Sequence, residues 1–249
     1  MKLKNAINFR NMISAVAVLY DEITFLATTD GIKARTMDSS HIAMVDFELP
    51  KEAFEEFSCN EETKIRIDVG KFLKLLKRVH SKDKVEILFS PTITKGQLQL
   101  KIVRGSSSRE FMMPTLEMPE EEEVPIPKLT FDCEVKMVSS VLQSCLEDAD
   151  LVGDTVRFVV DKEKLILDVR GELMSANIVL DRGTLLNLEA KEPSRATFNL
   201  SYLVDIVKKA SVVSDVVTLE FATDMPIKMD FSTADTKLAY YCAPRIETD

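Results

Sequence analysis

The feature that most constrains this fold is a repeat at half the chain length. Residues Ile65-Arg-Ile-Asp-Val-Gly-Lys-Phe-Leu-Lys-Leu-Leu-Lys-Arg78 are followed by Lys84-Val-Glu-Ile-Leu-Phe89. Residues Thr197-Phe-Asn-Leu-Ser-Tyr-Leu-Val-Asp-Ile-Val-Lys-Lys209 are followed in the same way by Val216-Val-Thr-Leu-Glu-Phe221. Each copy reads as a short strand, an amphipathic helix ending in two basic residues, and an alternating strand. The copies lie 131 residues apart, and Met12-Ile-Ser-Ala-Val16 is echoed by Met137-Val-Ser-Ser-Val141. Solenoid repeats span about 20–50 residues, so a repeat of roughly 120 residues is a duplicated domain. Matched charged helices in a duplicated domain predict a symmetric surface.

The pattern predicts helices over 6–19, 70–79, 137–149 and 201–210, separated by many alternating strands. Thr28-Thr-Asp-Gly31 is a hairpin signal between two of these strands. Few helices and many strands give an α+β class with antiparallel sheets. Residues 113–127 hold four prolines and five glutamates, a composition that excludes a helix or an interior strand. The expected organisation is an N-terminal domain over 1–117, an acidic linker over 118–128 and a C-terminal domain over 129–249. Within the linker Val124 and Ile126 interrupt the acids, which predicts that part of it packs on the body.

Composition narrows the function. The hydrophobic fraction of 45% with 29% charged residues is that of a soluble globular protein. No apolar run approaches the ~20 residues of a membrane span, and Asn8, Arg10 and Asn11 interrupt any secretory segment. Cys59, Cys133, Cys145 and Cys242 lack metal-binding spacing and lie within apolar patterns, which predicts reduced core thiols. The net charge of −9 argues against a general nucleic-acid binder, yet its distribution is uneven. Six basic residues and one acid lie between Lys71 and Lys84, whereas Glu120–Glu123 is an unbroken acidic run.

On a helical projection of 70–79, Phe72, Leu73, Leu75, Leu76 and Val79 share one arc and Lys71, Lys74, Lys77 and Arg78 the other. In 201–210 the polar arc carries Asp205, Lys208 and Lys209. A charged helix face is ordinarily just the solvated one, but two equivalent faces in a duplicated fold favour a function. Lysines contact phosphate without reading bases, so this surface would hold DNA of any sequence. Ile42, Val45, Val124, Ile126 and Ile246 are apolar residues of loops or the tail, and such a patch marks an interaction site.

Two segments carry a family resemblance: Met37-Asp-Ser-Ser-His-Ile-Ala-Met-Val45 and Leu238-Ala-Tyr-Tyr-Cys-Ala-Pro-Arg-Ile-Glu247. They closely resemble the loop and C-terminal tail of the sliding clamps of the PCNA family, and the similarity extends over the whole duplicated chain. The resemblance implies a trimeric ring with helices lining a hole, sheets outside, and duplex DNA threaded through without sequence preference. Arg10, Lys74, Lys77 and Lys209 match basic channel positions, with Lys71, Arg78 and Lys208 beside them. A departure lies on helix 137–149, where Ser140, Gln143, Ser144 and Glu147 stand where relatives commonly carry basic residues. By the same resemblance Met37, His41, Ile42, Val45, Val124, Ile126, Pro127, Pro226, Tyr241, Ala243, Pro244, Arg245 and Ile246 form a pocket for PIP-box peptides. The implied users are DNA polymerase, the clamp loader, flap endonuclease and DNA ligase. Subunits are expected to join through edge strands 107–113 and 174–181, involving Arg109, Glu110, Phe111, Ala176, Ile178 and Leu180. Arg109, Glu110, Asp181 and Arg182 are candidates for ion pairs across that seam. The expected location is the archaeal cytoplasm at the nucleoid, or the nucleus for a eukaryotic source.

Against an enzyme stand only two histidines, His41 and His80, with no nucleophile elbow and no Gly-rich phosphate loop. Asp148 and Asp150 lack a third ligand, so neither a metal nor a cofactor is expected. The alternative reading is a subunit of a heterotrimeric or checkpoint-type clamp that acts mainly as a protein scaffold.

Overall fold

The computed structural model describes residues 1–90, 92–118 and 124–246. They fall into two compact units: Met1–Thr36, Asp46–Val124 and Ala234–Lys237 in the first, Met37–Val45, Pro125–Thr233 and Leu238–Asp249 in the second. The acidic run Glu120–Glu123 lies outside the described residues.

The first unit is built from β1 (Lys2–Leu3), α1 (Ala6–Val16), β2 (Glu22–Thr28), β3 (Gly31–Met37), β4 (Ala43–Pro50), β5 (Phe54–Glu56), β6 (Thr63–Asp68), α2 (Val69–Leu76), β7 (Lys84–Phe89), β8 (Gln97–Arg104) and β9 (Ser107–Pro114). One sheet has the order β5-β1-β7-β8-β9 and the other β4-β3-β2-β6. The chain passes between units inside β4, whose residues up to Val45 belong to the second.

The second unit holds β10 (Cys133–Val138), α3 (Ser139–Asp150), β11 (Thr155–Val160), β12 (Lys164–Arg170), β13 (Ser175–Asp181), β14 (Asn187–Ala190), β15 (Ser194–Asn199), α4 (Leu200–Ala210), β16 (Val216–Phe221), β17 (Ile227–Asp230) and β18 (Lys237–Cys242). Its orders are β14-β10-β16-β17-β18 and β13-β12-β11-β15. Each strand of the first unit thus has its counterpart nine strands later, in the same place. The repeat of residues 65–89 in 197–221 is a repeat of topology, whereas the echo of Met12–Val16 in Met137–Val141 is not, because the first segment ends α1 and the second joins the end of β10 to the start of α3.

Helix starts explain why the repeat folds alike. Asp68 accepts from the Lys71 amide (2.8 Å) and Asn199 from the Ser201 amide (3.0 Å), so both copies carry a side-chain cap at the same place. Asn5 caps α1 through the amides of Ile7 and Asn8, whereas α3 starts at Val138 with no side-chain cap. Behind the helices lies a core of alternating strand residues. In the second unit Phe158, Phe198 and Phe221 pack edge to face, with centroids 5.6–6.4 Å apart, and all are buried.

Four expectations need correction. Helix α1 ends at Val16 rather than residue 19, since Ala17 and Val18 donate back to Ile13 and Ala15 and close the last turn. Helix α2 ends at Leu76, and Lys77 and Arg78 lie in the tightened turn after it, where Arg78 donates to Leu75 and Val79 to Leu76. Cys133, Cys145 and Cys242 are buried, but Cys59 is only half-buried and is not a core thiol. The strands β1, β5 and β14, of two to four residues, are too short to show alternation, and β10 takes Met137 and Val138 from the expected helix 137–149, which runs instead over Ser139–Asp150.

At Gly31 the backbone itself demands glycine. Its φ is +145°, and a Cβ there would lie 2.2 Å from the Leu49 carbonyl oxygen.

Candidate partner pocket and nucleic-acid face

The loop after β3 is organised by one buried carboxylate. Asp38 Oδ1 accepts from the amides of Ile42 (2.7 Å) and Ala43 (2.6 Å), while Oδ2 accepts from the Ser40 amide (3.1 Å) and the Tyr202 hydroxyl of α4 (2.9 Å). Its own amide donates to the Ala43 carbonyl (2.9 Å), and His41 takes a left-handed φ of 57° to close the turn. Burial pushes the Asp38 carboxyl up, but the donors from Ala43, Tyr202, Ile42 and Ser40 outweigh it and hold it below the usual carboxylate range. Burial, with the nearby Asp38 charge, pushes the Cys242 thiol up to about 12, so it stays a neutral core thiol. The Asp38–Tyr202 bond ties the loop to a rigid helix, and neither residue was among the expected site residues. Asp-Ser-Ser is a local turn signal that could have marked Asp38. Nothing in the local sequence marks Tyr202, whose partner is 164 residues away.

The C-terminal tail runs beside this loop in the second unit. The Ala243 amide donates to the Ile42 carbonyl (2.8 Å), and the Arg245 amide to the Thr197 carbonyl (2.7 Å). These bonds bring Ile42, Ala243, Pro244 and Arg245 together. Ile246 is 83% exposed, a large apolar side chain with no packing of its own, and Ile126 is 41% exposed. Met37, Ile42, Pro127, Pro226 and Tyr241 are half-buried, and His41 is exposed. Val45 is a correction: it is fully buried in β4 and belongs to the core, so it offers no free surface. Val124 falls in the first unit, where its carbonyl accepts from Arg35 Nη1 (3.4 Å). Arg35 also bonds the buried Asp46 (2.9 Å), whose other oxygen meets Lys237 Nζ at 2.8 Å. Val124 of the linker is therefore held by an ion-paired arginine.

The basic residues take the positions their periodicity requires. On α2, Val69, Phe72 and Leu76 are buried while Lys71 and Lys74 are exposed, as are Lys77 and Arg78 just beyond. Lys71 pairs with Asp68 of its own cap (2.9 Å). On α4, Leu203, Ile206, Val207 and Ala210 face inward, and Lys208 and Lys209 outward. Arg10 on α1 is half-buried and reaches Asn11 Oδ1 (3.3 Å). Helix α3 is different. Ser140, Ser144 and Glu147 are exposed, and Gln143 is engaged by the Ser211 hydroxyl (2.8 Å) and Glu147 (2.9 Å), an arrangement that offers phosphate no cation.

Strands β9 and β13 each end a sheet within their units. Arg109 and Glu110 are exposed on β9, and Phe111 is half-buried opposite Leu100. On β13 Ala176 and Ile178 are half-buried, while Leu180 turns into its own core. Arg182 donates to the carbonyls of Lys162 and Leu188, and Asp181 accepts from Thr184 (3.1 Å), so both already have partners within the unit.

Residues 1–112 match the family model of the proliferating cell nuclear antigen N-terminal domain, and residues 125–246 that of its C-terminal domain. The chain belongs to the PCNA family. It is 38% identical over 246 residues to DNA polymerase sliding clamp 1 of Pyrobaculum aerophilum, covering 98% of this chain and 96% of that one. The DNA polymerase sliding clamp of Thermofilum pendens is 35% identical, with 98% and 97% covered. Among solved structures, PCNA from Thermococcus kodakaraensis superposes with a TM-score of 0.90 at 26% identity, covering 98% of this chain and 99% of that one. The PCNA fold accounts for the duplicated topology, the four helices and the antiparallel sheets. Among the described residues no cluster of metal-ligating side chains occurs, and no helix is long and apolar enough to cross a membrane.

Proposed function

We propose that the chain is a DNA sliding clamp whose copies close into a trimeric ring around duplex DNA. The observation that carries this is the exposed basic pair at equivalent positions in the two halves of one duplicated fold, Lys77 and Arg78 just after α2 and Lys208 and Lys209 on α4. Such cations meet phosphates without reading bases, and retention would come from the closed ring rather than from affinity. The ring would form by pairing β9 of one copy with β13 of the next, which also removes two open sheet edges.

Partners would dock on the second unit. A PIP-box peptide would lay its backbone along the tail at Ala243–Ile246 and seat apolar side chains among Ile42, Ile126, Pro226, Tyr241 and Ile246. DNA polymerase, the clamp loader, flap endonuclease and DNA ligase are the proposed users. The chain itself would do no chemistry, and it would work where the chromosome is.

The cation-free face of α3 favours a second reading, a subunit of a heterotrimeric or scaffold clamp. Light scattering across a dilution series separates the two. A mass three times 28.1 kDa supports a self-sufficient ring, and a persistent monomer or dimer supports missing sister subunits.

A further inference from the structure

The duplication supplies an internal control for packing, and the two units differ at one place. In the second unit the space between the sheets is filled by Phe158 on β11, Phe198 on β15 and Phe221 on β16, with Val160 beside them. Strand register fixes their counterparts. Ile23 pairs Ile67 as Val156 pairs Phe198, and Ala27 pairs Thr63 as Val160 pairs Ser194. The first unit therefore has Phe25, Ile67, Phe89 and Ala27 where the second has Phe158, Phe198, Phe221 and Val160. Two of the four are truncated. Phe89, unlike the buried Phe221, is only half-buried.

A cavity of about 390 Å³ lies at this position, lined by all four of these first-unit residues. Its mouth is formed by Phe57–Glu61 and by Leu88–Ser90 with Ile93. Leu88 and Ile93 are exposed there, Ile93 by 76%. The segment between β5 and β6 is six residues (57–62), against three (191–193) between β14 and β15, so the first unit has slack where the second is closed. Among the described residues no Lys, Arg or His side chain lines the cavity. Its charged groups are Glu61 at the mouth and the Met1 amino group, which donates to the Ile87 carbonyl at 3.1 Å. An empty apolar space of this size would forfeit packing contacts in proportion to its volume, and apolar cavities of about 150 Å³ already bind benzene.

We infer that the first unit holds a binding site for a neutral, apolar small molecule of about ten to fifteen non-hydrogen atoms, with one polar end at Ser58–Glu61. The site is separate from the partner pocket and the basic helices, and it owes its existence to Ala27 and Ile67.

The probe is 1-decanol below its solubility limit, with decanoate as the charge control. Cys59 lines the mouth and is half-buried, whereas the other three cysteines are buried, so iodoacetamide labelling reports on this site. Saturable protection of Cys59 by decanol, at least fivefold, with a concentration-dependent rise in Tm, is the expected result. Ile67→Phe and the milder Ala27→Val restore the second unit's filling, and each should weaken protection at least tenfold. Ile67→Phe should also raise the Tm of the free protein. No protection, equal binding of decanoate, or undiminished binding in the folded Ala27→Val variant would each overturn the inference.

Discussion

Replacing Asp38 by alanine tests how the partner pocket is held. The change removes the acceptor for three amides and the Tyr202 hydroxyl. Ser40 is exposed, so its amide is rehydrated when the loop loosens, and Ile42 is partly open as well. The bonds from the buried Ala43 amide and the half-buried Tyr202 hydroxyl are the costlier losses. Hydrogen bonds to a charged group are each worth about 1.5–3 kcal/mol, so losing these two should cost about 3–6 kcal/mol. Tyr202→Phe removes one of them and should cost about 1.5–3 kcal/mol. Asp38→Asn keeps one oxygen for Ile42 and Ala43 and should fall between. The pH dependence follows from the depressed carboxyl. The unfolded chain takes up the proton first, so this stabilisation is complete above about pH 4 and is lost as pH falls through the folded value. Urea unfolding from pH 7 down to pH 3, with calorimetric titration of a PIP-box peptide at pH 7, measures both consequences. An Asp38→Ala protein within about 1 kcal/mol of the parent and with unchanged peptide affinity would show that Asp38 does not hold the loop.

Other substitutions probe the remaining parts. Lys74→Glu with Lys77→Glu should reduce processivity in primer extension at least tenfold and leave peptide binding intact, because both side chains are exposed and make no core contact. Pro244→Ala with Ile246→Ala should abolish peptide binding in calorimetry while stability falls by no more than about 1 kcal/mol, since Ile246 is exposed and the half-buried Pro244 acts chiefly through the unfolded chain. Arg104 holds the Asp83 carboxyl down to about 2 through bonds of 2.6 and 2.7 Å. Arg104→Met should therefore flatten the loss of stability between about pH 4 and pH 2 in acid unfolding curves, where the parent falls. Gly31→Ala forces a Cβ against the Leu49 carbonyl and should cost about 2–4 kcal/mol in urea unfolding, a strained backbone adding to the clash.

Much of this molecule was legible in the sequence, for identifiable reasons. The repeat fixed the doubled topology because Asp68 and Asn199 cap equivalent helices and the apolar periods on either side agree. The exposed lysines of α2 and α4 followed from helical spacing alone. Periodicity could not show that Lys77 and Arg78 sit in a tightened turn, since a helix ends where its hydrogen bonds change. Val45 was misplaced because a loop motif and the first residues of a strand look alike when the strand is buried on both faces. Asp38 and Tyr202 meet only through the fold. Likewise, the exchange of Phe198 for Ile67 is a conservative change in sequence and a missing ring in space.

Under the proposed function the chain holds DNA by encircling it. The most direct test of this is retention of the labelled protein on a singly nicked circular plasmid after incubation with a clamp loader and ATP, before and after one restriction cut. A closed ring stays on the circle through a high-salt wash and leaves once the DNA is linear. Equal retention on circle and line, or release from the circle by salt, would show that charge rather than closure holds the DNA.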